Sequence, residues 1–157
     1  MMATRSLTLR TGDARDVAMM DALMAAAFDP RWGEAWTRSQ AMGVLAMPGI
    51  HLVFALVDDV PAGFALTRAV LDEAELLLLA VTPPHRRAGV GTALMQGVLA
   101  DCAARGVTHL HLEVRENNPA IAFYQRHGFE RQGIRRGYYK GHDGAAYDAH
   151  TYARIVG

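Results

Sequence analysis

At 157 residues the chain fits one domain, and a single core at this size buries roughly two-thirds of the surface the unfolded chain exposes. Its 16 basic residues match its 16 acidic ones, which argues against a nucleic-acid-binding or membrane-surface protein and makes any anion binding a local matter. The lone Cys102 excludes an internal disulfide; the start of the chain lacks a cationic segment followed by an apolar run, and no apolar stretch approaches the roughly 20 residues of a membrane span, so a soluble cytoplasmic domain is expected.

In chain order, "SLTLR" (Ser6 to Arg10) alternates as a half-buried strand does, and "TGDARDVAMMDALMAAAF" places apolar residues at helical spacing with Asp13 as its N-cap. Pro30 and Gly33 break "DPRWGEAW" into a loop with an aromatic at its tip, and a short helix follows over "TRSQAMGVLA". The apolar runs "HLVFALVDD" and "PAGFALTRAV" read as an antiparallel hairpin. Next come the strand "ELLLLAV" (Glu75 to Val81), the helix "GVGTALMQGVLADCAARG" closed by Gly106, and the strand "VTHLHLEVR". A helix over "NPAIAFYQRHG" ends at Gly128, and two strands, around "FERQGIRR" and "AYDAHTYARIV", flank the expected loop "GYYKGHDG". The order is strand, two helices, three strands, helix, strand, helix, two strands.

The stretch "HRRAGVGTAL" (His85 to Leu94) sits between a strand and a helix, where two glycines let a ligand approach the backbone. A dinucleotide fingerprint needs a third glycine where Leu94 stands, and a P-loop needs a lysine after the second glycine, where Thr92 stands. What remains is a helix start with unpartnered amides and two adjacent arginines, a setting for a diphosphate without a metal.

On these residues the chain resembles the GNAT acetyltransferase superfamily: "RRAGVG" is similar to that family's pyrophosphate loop. "LEVRENNPAIAFYQRHGF" resembles its fifth strand and the helix after it. "VLDEAELLLLAV", "PRWGEAW" and "IRRGYYKGHDGAAYDA" resemble the branch that acetylates N-terminal alanines of ribosomal proteins, and the similarity spans about residues 25 to 150. The resemblance implies an α/β fold with a mixed, mostly antiparallel twisted sheet of six to seven strands, splayed between strands 4 and 5 and flanked by about four helices. It implies acetyl-CoA as cosubstrate: Leu79, Ala80 and Val81 would pair with the pantetheine arm, Arg86, Arg87, Ala88, Gly89, Val90, Gly91 and Thr92 would hold the diphosphate, and Asn117 would contact the arm. Trp32, Tyr138 and Tyr139 would lie in loops that flank the acceptor peptide. Glu113 matches the family's general base and Tyr124 its general acid. The branch usually has one more residue between "EVR" and the asparagine, so the separation of Glu113 and Tyr124 is one shorter here.

The chemistry fits an α-amine acceptor: its reference pKa of about 7.7–8.0 leaves a carboxylate far less to do than a lysine at about 10.4. Acylation of lysine or of a small amine, and a non-catalytic acetyl-CoA-binding module, are the alternatives. Each site residue also has a plainer reading: the glycines as turn residues, Tyr124 as core, Glu113 as a solvated carboxylate, and Cys102 as a helix-packing residue. Alternation places His109, His111 and Glu113 on one strand face, a ligand set for iron or zinc. Alternate residues lie about 6.6 Å apart, so His109 and Glu113 stand about 13 Å apart, too far to share an ion bound at about 2.1 Å. No metal is expected.

Overall fold

The first helix begins where the sequence offers a cap. The Asp13 carboxylate accepts from the Arg15 N–H, Asp16 reaches back to the Asp13 N–H, and a single 3-10 turn leads into α1, Val17–Ala27. Thr37 and Gln40 form the same reciprocal box at the start of α2, Arg38–Leu45. The loop between them turns at a 3-10 segment, Pro30–Trp32, and leaves through Gly33 at φ 64. Helix α3 spans Val90–Ala104 and α4 spans Ala120–Arg126; Gly106 (φ 78) and Gly128 (φ 85) follow them in the left-handed conformation that glycine takes without strain.

The computed structural model describes residues 5–141 and 144–157. Its strands are β1 (Leu7–Gly12), β2 (Ile50–Val57), β3 (Val60–Val70), β4 (Glu73–Val81), β5 (His109–Arg115), β6 (Glu130–Lys140) and β7 (Ala146–Ile155). They form one sheet in the order β1-β2-β3-β4-β5-β7-β6, antiparallel except for β4 beside β5. That parallel pair is short. Glu73 to Glu75 face His109 to His111, and from there the two strands part. The expected mixed, splayed sheet is thus present, with the element order read from the sequence.

Two cores lie on the two faces. Leu94, Met95 and Val98 of α3 and Tyr124 of α4 share one with Leu110 and Leu112 of β5; Met20, Leu23 and Met24 of α1 share the other with Phe54 and Phe64. Strand β4 contributes to both. Leu66 faces Leu78 and Thr67 faces Leu76, so Leu77 is an extra residue on β4. Ala74 and Leu76 therefore enter the α3 core, whereas Leu78 and Ala80 enter the α1 core and Leu79 and Val81 pack back toward α3. A regular strand would hold residues 74, 76, 78 and 80 on one face. The bulge inverts β4 from Leu78 to Val81, a stretch that runs free of β5.

One expectation is corrected. Tyr138 and Tyr139 are not in a loop: β6 continues to Lys140, with Tyr139 opposite Tyr147 and Lys140 opposite Ala146. A bulge between Arg135 and Tyr139 makes this possible, with Gly137 at φ 62 donating its N–H to the Asp148 carboxylate at 2.9 Å. The aromatic pair continues the ladder on the far side of that bulge. His142 and Asp143 of the expected loop lie outside the described residues.

Candidate active site

The splay leaves a gap between β4 and β5, and the loop that follows β4 closes one end of it. Within the loop Arg87 (φ 62) and Gly89 (φ 83) are both left-handed, and Gly89 caps α3 without a side-chain hydrogen bond among the described residues. The N–H groups of Val90, Gly91 and Thr92 have no intrahelical acceptor, and their dipoles favour an anion. Such a run of amides in a left-handed turn forms a concave anion seat. Gly91 lies against the α4 aromatic: a Cβ there would stand 3.3 Å from the Phe123 ring. The Arg86 guanidinium points elsewhere. It donates to the Ala27 carbonyl at 2.6 Å and the Val81 carbonyl at 3.1 Å, tying the end of α1 to the end of β4. Arg87 and Ala88 are exposed on the same turn.

Along Leu79 to Val81 the one strand paired with β4 among the described residues is β3, with Ala65, Phe64 and Gly63 opposite, so apart from the Val81 carbonyl that Arg86 holds, the other edge of β4 is open to a ligand chain. On the far side of the gap β5 is fully laddered to β7, from His109 opposite Ile155 to Arg115 opposite Ala149. Its Leu112 and Val114 enter the α3 core, leaving Glu113 and Arg115 on the opposite face.

That face carries a cluster. Arg115 is 3% exposed, an unusual place for a guanidinium without partners. It pairs with Glu34 at 3.2 Å, lies over the Trp32 ring at 3.8 Å from its centroid, and donates to Asn117 Oδ1. Its Nε is buried and unpartnered among the described residues. Tyr147 meets the Trp32 ring edge-on at 5.1 Å. Glu113, partly exposed, pairs with Arg135 at 2.9 Å, and Arg135 in turn covers the Tyr138 ring. Asn118, next to Asn117, accepts from the Ala120 N–H and opens α4.

Tyr124 comes from the other side. Its ring packs edge-on to Phe123 and Phe129 in the α3 core. Burial pushes its phenol well above the ordinary tyrosine range, and the charge of Glu34 and the Tyr139 phenol push it further. Both neighbours belong to the face that carries Glu113 and Arg115. Tyr139 is likewise pushed up to about 12, by burial first and then by Glu34 and Glu113. Glu34, Glu113, Tyr124 and Tyr139 therefore share one electrostatic environment, with the uncapped start of α3 beyond Phe123. A phenol so placed holds its proton across the whole working pH range.

The family model described as acetyltransferase (GNAT) family matches residues 17–129. The chain belongs to the GNAT family. A ribosomal protein bS18-alanine N-acetyltransferase of Escherichia coli is 48% identical over 84 residues, 53% of this chain and 57% of that relative, so the alignment spans little more than half of it. N-alpha-acetyltransferase RimI of Mycobacterium tuberculosis is 35% identical over 154 residues, 95% of this chain and 90% of the relative. The crystal structure of the ribosomal-protein-S18-alanine N-acetyltransferase from Escherichia coli superposes with a TM-score of 0.86 at 31% identity, covering 96% of this chain and 94% of that one. The fold expected of a GNAT member is therefore the fold this chain has.

The structure brings several of the residues expected from sequence to the gap or its rim: Leu79 to Val81 on one edge, Gly89 to Thr92 at one end, and Glu113, Asn117 and Trp32 on the β5 side; Tyr124 stands in the α3 core beside Phe123 and Phe129. Sequence reading singled out neither Glu34 nor Arg115. On the strand pattern Arg115 is only the next polar-face residue after Glu113, and nothing local signals that a loop some 80 residues earlier covers it. No helix among the described residues is long and apolar enough to cross a membrane.

Proposed function

We propose that this chain is a cytoplasmic, acetyl-CoA-dependent N-acetyltransferase whose acceptor is the N-terminal α-amine of a small-subunit ribosomal protein, with alanine at the first position. The observation that carries the reading is the splay between β4 and β5, which sets an open strand edge and an uncapped helix start on one side and two carboxylates on the other. The names of the relatives support the acceptor class. Acetyl-CoA would lie with its pantetheine along Leu79, Ala80 and Val81 and its diphosphate on the amides from Arg87 to Thr92, while Arg86 holds the loop to the end of α1.

Glu113 takes the proton of the α-ammonium, directly or through one water. The neutral nitrogen attacks the thioester carbonyl, forming the C–N bond, and a backbone N–H of the open β4 edge receives the oxyanion. Collapse breaks the C–S bond and expels the thiolate, which takes the proton of Tyr124; the nitrogen, cationic since the attack, gives its second proton to the Tyr124 phenolate as the amide forms, and Glu113 passes its proton to water. A thiol's reference pKa is about 8.5, below that of a buried phenol, yet the thiolate forms in the same desolvated gap, and desolvation raises its basicity too. The ion pair to Arg135 does not disqualify Glu113: a pair whose cation is 59% exposed is worth only about 0–1 kcal/mol, so an arriving ammonium displaces it readily.

The test is an acceptor panel with acetyl-CoA: peptides with N-terminal alanine and other residues, lysine peptides and small amines. Alanine-first peptides should lead. Glu113→Gln and Tyr124→Phe should each lower kcat by about 100- to 10,000-fold, with acetyl-CoA affinity within about twofold. Wild-type rates in both variants would remove the two assignments, and acetylation of small amines alone would overturn the peptide acceptor.

A further inference from the structure

Resting on the acceptor reading above, we infer that Arg115 is a positioning residue: its buried guanidinium locks Glu34 and Trp32, and with them the loop from Asp29 to Trp36, against the strand that carries Glu113. Three contacts converge on one side chain. Glu34 lies 3.2 Å from it, the Trp32 ring is stacked beneath it with the centroid 3.8 Å away, and Asn117 accepts from its other terminal nitrogen. The first two belong to the loop between α1 and α2; the third lies just past the end of β5. Arg115 is thus the bolt between the loop that would face the acceptor and the segment that would meet the cofactor arm.

Only an arginine suits this place. A planar guanidinium stacks flat on an indole and still presents in-plane N–H donors to partners on two sides, whereas an ammonium on a flexible stem does one or the other. Among the described residues few other contacts hold the tip of the loop. Beyond Arg115, Trp32 has Tyr147 at its edge and Arg31 over its ring, and Arg31 also pairs with Asp29 within the same turn. Glu34 meets Arg115 through Oε1, so the second oxygen of the carboxylate is not spent on that bond. Held there, a carboxylate suits the α-ammonium or the first N–H of an arriving peptide.

The experiment compares Arg115→Lys, Arg115→Met and Glu34→Gln with the wild type in two independent readouts. In steady-state kinetics with an alanine-first peptide, the acceptor KM should rise about tenfold in Arg115→Lys and more in Arg115→Met, with kcat changed less than the acceptor KM and acetyl-CoA affinity within about twofold. In amide hydrogen exchange on the free protein, residues 29–37 should lose protection in both arginine variants while α3 keeps its own. Glu34→Gln preserves the shape and should raise the acceptor KM with smaller loss of protection. Unchanged exchange of residues 29–37 in Arg115→Met overturns the inference, and so does increased exchange with an unchanged acceptor KM. If the wild type acetylates no peptide, the acceptor reading has failed, and the exchange result alone decides whether Arg115 bolts the loop. A general loss of protection in Arg115→Met leaves Arg115→Lys, which keeps the buried charge, as the deciding variant.

Discussion

Gly89 offers a clean separation of cofactor binding from folding. It caps α3 at φ 83 and ψ 2, a left-handed backbone, and a Cβ built there meets nothing within 4 Å. Gly89→Ala therefore introduces conformational strain without a clash, about 1–2 kcal/mol. In a chain of this length each kcal/mol lowers Tm by roughly 2–4 °C, so a loss of a few degrees is expected from a protein that still folds. Relief of the strain turns the 87–92 segment and redirects the amides of Val90, Gly91 and Thr92. Losing one charge-assisted hydrogen bond, about 1.5–3 kcal/mol, raises the acetyl-CoA Kd by about tenfold or more. Gly106→Ala is the control: that glycine is also left-handed, at φ 78, also has open space around its missing Cβ, and stands at the other end of α3. Titration calorimetry with acetyl-CoA and thermal melts of both variants give the answer. Similar losses of Tm with a Kd change confined to Gly89→Ala support the anion seat; equal Kd values in the two variants refute it and make Gly89 an ordinary turn residue.

Other expectations follow from the same geometry. A Cβ on Gly63 would stand 2.4 Å from the Ala80 carbonyl oxygen, a backbone atom that cannot swing aside, so Gly63→Ala should part β3 from β4 and destabilise by about 1–3 kcal/mol in denaturant unfolding; wild-type stability would show that the strands slide freely. In an ultraviolet pH titration of the folded protein, Tyr139 should ionise near pH 12 and Tyr124 later still, and Tyr139→Phe should remove the earlier of these two late steps. Because both native pKa values stand above the unfolded value of about 10, the stability these phenols contribute is fully present below pH 10 and lost as pH rises above it. Alkaline melts that are flat between pH 10 and 12 would contradict that sign.

Much of the architecture is legible in the chain because its signals are local. Capping residues at Asp13 and Thr37, glycines 106 and 128 after the helices, and apolar runs broken by turn residues are all set by neighbours a few positions away. The turn from Arg86 to Gly91 is legible for the same reason: a strand, two glycines and a helix start mark it locally, and an uncapped helix start favours an anion. The Tyr138–Tyr139 segment, flanked by Gly137 and Gly141, reads as a loop on local signals alone. In the sheet, the Asp148 carboxylate satisfies the Gly137 N–H, and the strand continues past the irregularity.

By itself, then, the sequence determined the order of strands and helices, the glycine-capped start of α3, and the strand and helix that carry Glu113 and Tyr124. Tertiary structure decided the rest. The bulge at Leu77 is invisible to periodicity, because Ala74, Leu76, Leu78 and Ala80 keep perfect alternation while the two halves of β4 face different cores. It takes the pairing with β3 to break the phase. Arg115 reads as one more polar residue on a strand face, and becomes a buried bolt only when Trp32 and Glu34 close over it. The physical reason is common to both: backbone propensity acts between near neighbours, whereas burial and charge pairing depend on which distant segments the sheet brings together.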